Sequence, residues 1–106
     1  MRKKRSDRNH VIYKITCIPT GECYIGLTVV RGRAFLGSIK TRWQGHVYHA
    51  IIENRQNPLQ KRIRQYGEES FQQELIKIIR GKKQAHNLER ELIKINYPEL
   101  NVCCKN

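Results

Sequence analysis

The chain contains no apolar run long enough to span a bilayer and no basic helix with a wholly apolar opposite face, which excludes membrane insertion and argues against membrane-surface binding. Its opening "MRKKR" is not followed by the apolar segment of a secretory signal, so the expected location is the cytoplasm. Cys17, Cys23, Cys103 and Cys104 show no paired CxxC spacing, and His10, His46, His49 and His86 complete no finger pattern around them. A structural zinc site is therefore not expected. Without a secretory signal a disulfide framework is not expected either, and the cysteines read as small apolar residues of a reducing compartment. There is no internal repeat and no low-complexity tract.

Acidic residues are also scarce: 21 Lys and Arg stand against 9 Asp and Glu, for a net charge of +12 in 106 residues. A chain of this length is one domain with a single modest core, and its potential attracts polyanions, with nucleic acid as the leading partner. Residues 1–9 form a basic arm and 10–106 the folded unit. Arg2, Lys3, Lys4 and Arg5 of the arm, with Arg31, Arg33 and Lys40 further on, are the candidate phosphate contacts. The arm reads equally well as a solvated tail or a nuclear address.

"HVIYKITCI" alternates β-branched and aromatic residues as a strand does, "PTG" is a turn, and "ECYIGLT" is the partner strand. Val11, Tyr13, Ile15 and Cys17 share one face of the first strand. On the second, Tyr24 and Gly26 oppose Cys23, Ile25 and Leu27; which faces coincide depends on register. "VVRGRAFLGS" has no sustained period and reads as a basic, irregular excursion. From Ser38, a candidate cap, Ile39, Trp43, Val47, Ala50 and Ile51 recur at helical spacing despite Gly45. A compact helix follows, with Asn57 as cap, Pro58 in the first turn, Leu59, Ile63 and Tyr66 on one side and Gly67 as the stop. "SFQQELIKII" fits helix and strand alike. "KKQAHNLERELIKIN" carries an apolar stripe of Ala85, Leu88, Leu92 and Ile95 and ends at Pro98.

Few of these residues carry chemistry on their own. Arg42 and His46 stand one helical turn apart and can meet one ligand. The arginine fork suits a phosphate, and the histidine can move a proton near neutral pH. A solvated charge and a structural hydrogen-bonder are the commoner roles of such residues. Glu89 and Glu91 flank the last helix's stripe on opposite sides, so only one can face a given neighbour; spacing alone favours salt bridges with Arg90 or Lys94. Strand tyrosines usually pack, and a phenol with a pKa near 10 needs cations around it to act as a base.

In their order these residues resemble the GIY-YIG nuclease superfamily. The resemblance is carried by "VIY" at 11–13, "YIG" at 24–26, "RWQGH" at 42–46, "PLQKRIRQYGEESF" at 58–71, "LERELIKI" at 88–95 and "LN" at 100–101, nearly the whole chain. It is strongest to the catalytic domains of phage and intron-encoded homing endonucleases, which implies a bacterial or phage-infected cell. It implies an α+β fold, a small three-stranded antiparallel sheet flanked by helices, with "FQQELIKII" as the third strand. It implies cleavage of DNA phosphodiesters with one Mg²⁺ or Mn²⁺ per site. By position, Tyr13 and Tyr24 match the two motif tyrosines, Gly26 the motif glycine, Arg42 and His46 the arginine and histidine of the first helix, Glu91 rather than Glu89 the metal-binding glutamate, and Asn101 the late asparagine.

Val11 replaces the first motif glycine, and the interval from Gly26 to Arg42 is longer than in compact relatives; the extra loop, 27–41, either obstructs the site or grips DNA. Either tyrosine is the expected base, ahead of His46. One small site cuts one strand at a time, so a double-strand break requires a homodimer, higher self-association or successive nicks, and relatives often carry a separate DNA-recognition domain. The competing expectation is a nucleic-acid-binding module with no cleavage activity, which the charge fits equally well.

Overall fold

The alternating run forms strand β1, Asn9–Cys17, and a tight turn returns it as β2, Cys23–Val29. The computed structural model describes residues 8–30, 35–53 and 57–101; Arg2, Lys3, Lys4, Arg5, Arg31 and Arg33 lie outside these. Two helices follow, α1 over Phe35–Ile51 and α2 over Pro58–Tyr66, then a single 3₁₀ turn at Glu68–Ser70. The ambiguous segment is strand β3, Phe71–Arg80, and α3 runs over Lys82–Asn96. The architecture is the expected one, a three-stranded antiparallel sheet in the order β2-β1-β3 flanked by helices. No helix among the described residues is long and apolar enough to cross a membrane.

β1 is the central strand, and both of its faces are buried. Val11, Tyr13, Ile15 and Cys17 turn one way and form the main core with Ile39, Trp43 and Ala50 of α1, Leu59 and Ile63 of α2, and Phe71. Alternation turns Ile12 to the opposite side, and it is buried too. Ile25 of β2 lies opposite Lys14 and shares that second face, and α3 contacts all three strands. Trp43 packs on Phe71 with ring centroids 5.4 Å apart, joining α1 to the start of β3.

Several boundaries differ from expectation. The first strand begins at Asn9, one residue before its predicted start at His10. α1 begins at Phe35, almost one turn before Ser38, and β2 runs on to Val29, so most of the supposed 27–41 loop is regular structure. Ser38 is thus inside the helix and not its cap. Ile51 and Ile95, assigned to apolar stripes, are exposed at the far ends of their helices. Gly45 lies inside α1, where glycine costs about 1 kcal/mol relative to alanine.

The two sheet edges are treated differently. β3 leaves one edge open but carries a register irregularity opposite Ile12 and Tyr13, with Glu74 and Lys77 nearby, features that discourage pairing with another chain. The β2 edge is covered by residues that follow α3. The Leu100 N–H donates to the Cys23 carbonyl at 2.9 Å, and the Glu99 carboxylate accepts from the Cys23 N–H at 3.1 Å. Asn101 completes this edge with its side chain: Oδ1 accepts from Ile25 N–H at 2.9 Å, and Nδ2 donates to the Ile25 carbonyl at 2.8 Å.

Candidate active site

The register places Tyr13 opposite Gly26 and Ile15 opposite Tyr24, so the two tyrosines and the glycine share the face that meets α1. Their ring centroids are 6.2 Å apart. Gly26 makes this possible, because a Cβ there would come within 2.5 Å of the Tyr13 ring and hydroxyl and 2.7 Å of the Tyr24 ring. The glycine is needed for clearance and not for an unusual backbone.

From α1 the His46 ring enters the same space. Tyr13 Oη and His46 Nε2 are 3.0 Å apart, and the His46 ring stands edge-on to Tyr24 with centroids at 5.2 Å. Arg42, one turn earlier and exposed, brings its charge to bear on Tyr13, Tyr24 and His46 alike.

Electrostatics separates the two phenols. Burial drives the Tyr13 pKa far above the usual phenol range, and the neighbouring Tyr24 adds to it. Burial also raises Tyr24, and the Glu89 carboxylate adds to it, while the Arg42 charge pulls both phenols part of the way back. Burial and the charges of Arg42 and His49 hold the His46 pKa down at about 4, so this ring is neutral at pH 7. Its Nδ1 is buried with no hydrogen-bond partner.

The carboxylate whose charge reaches Tyr24 belongs to Glu89, not Glu91. Glu89 is half-buried on α3, its pKa raised by burial and partly offset by His86 and Arg90. His86 Nδ1 lies 3.7 Å from its Oε1. Glu91, two residues on, projects to the opposite side of the helix and is exposed. The sequence holds a signal for this: Glu89 follows Ala85 by four residues, and Ala85 is the buried position of α3.

Asn101 is a positioning residue, since its amide is engaged with the backbone of Ile25, the neighbour of Tyr24. Lys40 is exposed on α1 and borders a groove towards β3 together with Glu68 and Glu74, away from the tyrosines. Tyr13, Tyr24, Arg42 and His46 are therefore brought together, joined by Glu89; Glu91 and Lys40 are not.

Comparison with family models, curated proteins and solved structures returns no match.

Among the described residues no three His, Cys, Asp or Glu side chains converge as a metal site. A single carboxylate still suits Mg²⁺, which commonly takes one or two protein oxygens and completes its shell with water and substrate phosphate. Glu89, half-buried and electrostatically coupled to Tyr24, fits that requirement.

Proposed function

We propose that this chain is a divalent-metal-dependent DNA endonuclease that hydrolyses phosphodiester bonds, related to the catalytic domains of GIY-YIG homing endonucleases. The observation that carries the reading is the convergence of Tyr13, Tyr24, His46 and Arg42 from β1, β2 and α1 into one cluster, held by the Tyr13–His46 hydrogen bond and ring packing, beside Glu89. The net charge of +12 supports a polyanionic substrate.

In-line attack by water on a phosphodiester builds negative charge on the non-bridging oxygens and on the leaving oxygen, and it releases a proton from the water. Tyr24, after losing its own proton to solvent, takes that proton as the phenolate, which the Arg42 charge favours against the upward push of burial. Tyr13, raised furthest by burial, remains protonated throughout and packs beside the base. His46, neutral, holds the Tyr13 oxygen in place. Arg42, exposed at the edge of the cluster, forks onto the non-bridging oxygens while its charge still reaches Tyr24. A Mg²⁺ or Mn²⁺ held by Glu89 would supply Lewis-acid stabilisation of the leaving oxygen.

Nicking of a supercoiled plasmid in Mg²⁺ tests the reading. Wild type should nick, Glu89→Gln should lose activity about a hundredfold or more, and Glu91→Gln should remain close to wild type. Duplex binding without nicking in any divalent ion would reject the enzyme; loss in Glu91→Gln with retention in Glu89→Gln would reject the assignment of the carboxylate.

A further inference from the structure

Next to Arg42 the molecule has a cleft between the end of β2 and α1, with Thr28 and Val29 on one wall and Ser38, Thr41, Arg42 and Gly45 on the other. Among the described residues its lining holds one cation and three hydroxyls, and no carboxylate. Such a surface matches a sugar–phosphate backbone, whose oxygens take hydrogen bonds from arginine, serine and threonine. Arg42 belongs to both the cleft and the tyrosine cluster, so an occupant of the cleft is continuous with a phosphate at the tyrosines.

Gly45 has no packing reason to be glycine among the described residues: beyond its own helix backbone a Cβ there would meet nothing within 4 Å, and its backbone is ordinary helix. Glycine is a poor choice for a helix interior, and here the chain itself gains nothing from it. The space it leaves opens into the cleft. We propose that the cleft seats the DNA strand carrying the scissile phosphate, and that Gly45 keeps the surface of α1 low enough for its backbone to pass Thr41 and reach Arg42. The identity of the occupant rests on the nuclease reading.

The test places a thiol in the cleft by Gly45→Cys and follows its alkylation by N-ethylmaleimide, resolved by peptide. A short duplex is added with calcium replacing magnesium. Gln44→Cys, on the same helix but facing the groove towards β3, serves as the control. Duplex at about ten times its dissociation constant should slow alkylation roughly tenfold at the cleft thiol, because the site is open in proportion to 1/(1 + [L]/Kd), and leave the control unchanged. Should Gly45→Cys fold poorly, Thr41→Cys makes the same measurement one turn earlier. Equal rates with and without duplex, or equal protection at both positions, would overturn the strand path. Protection in a protein that never nicks would sink the nuclease reading alone, whereas nicking without protection would sink the strand path alone.

Discussion

The hydroxyl of Tyr13 and Nε2 of His46 meet at 3.0 Å in the buried space between β1 and α1. The pair works only while the imidazole is neutral, because His46 Nδ1 has no partner to receive a second proton's charge. Burial holds its pKa down at about 4, against 6.5 for a solvated histidine. Between those values the unfolded chain binds a proton that the folded chain refuses, so stability is complete above pH 6.5 and is lost as pH falls towards 4. The loss is on the order of 3 kcal/mol. Thermal midpoints by circular dichroism across this range should show it, and His46→Gln should flatten the curve. An identical slope in the variant would assign the acid limb to other groups.

Gly26→Ala should destabilise the protein by about 1–3 kcal/mol, the usual effect of forcing extra volume into a packed site. The added carbon collides with both tyrosine rings. Nicking should therefore fall further than folding, since any relief moves Tyr13 or Tyr24. Urea denaturation gives the first quantity and plasmid nicking the second; wild-type values in both would remove the clearance role of the glycine.

Asn101→Ala breaks two hydrogen bonds to Ile25 and should cost roughly 1–3 kcal/mol. Its signature is local. Amide exchange at Ile25 should accelerate while exchange at Ile12 in the central strand stays slow, and nicking should fall because Tyr24 adjoins the loosened residue. Asn101→Asp keeps the acceptor but loses the donor, so it should fall between wild type and alanine. Uniform acceleration across the sheet would mean that Asn101 supports the fold as a whole and not the strand carrying Tyr24.

Arg42→Gln removes the cation that favours the Tyr24 phenolate. The rising limb of the pH–rate profile should consequently shift to higher pH. Nicking should drop far more than duplex affinity, because the arginine's bonds strengthen as charge develops on the phosphate. A profile that keeps its position, with equal losses in binding and rate, would reduce Arg42 to a phosphate contact.

Much of this was legible in the sequence where a local pattern decides the outcome. Alternation in β1 identified Val11, Tyr13, Ile15 and Cys17 as one buried face, and spacing in α1 and α2 identified Ile39, Trp43, Leu59 and Ile63. β3 was not legible in this way, because Phe71, Leu75, Ile78 and Ile79 satisfy a helical period by accident; on the edge of a sheet, Leu75 and Ile78 remain partly exposed. The choice between Glu89 and Glu91 depends on how α3 is rotated about its own axis, which tertiary packing sets through Ala85. The Asn101 amide was expected among the reacting groups, but a side chain that imitates a neighbouring strand leaves no periodicity to read.

The covered edge of β2 also orders the events of folding. Its contact with β1 closes through a short turn, whereas its contacts with Glu99 and Asn101 join residues 76 apart in the chain. Local closure is entropically cheap and early, and distant closure waits until intervening elements have docked. By this reasoning the β1–β2 hairpin closes before Glu99 and Asn101 anchor the outer edge of the strand that carries Tyr24.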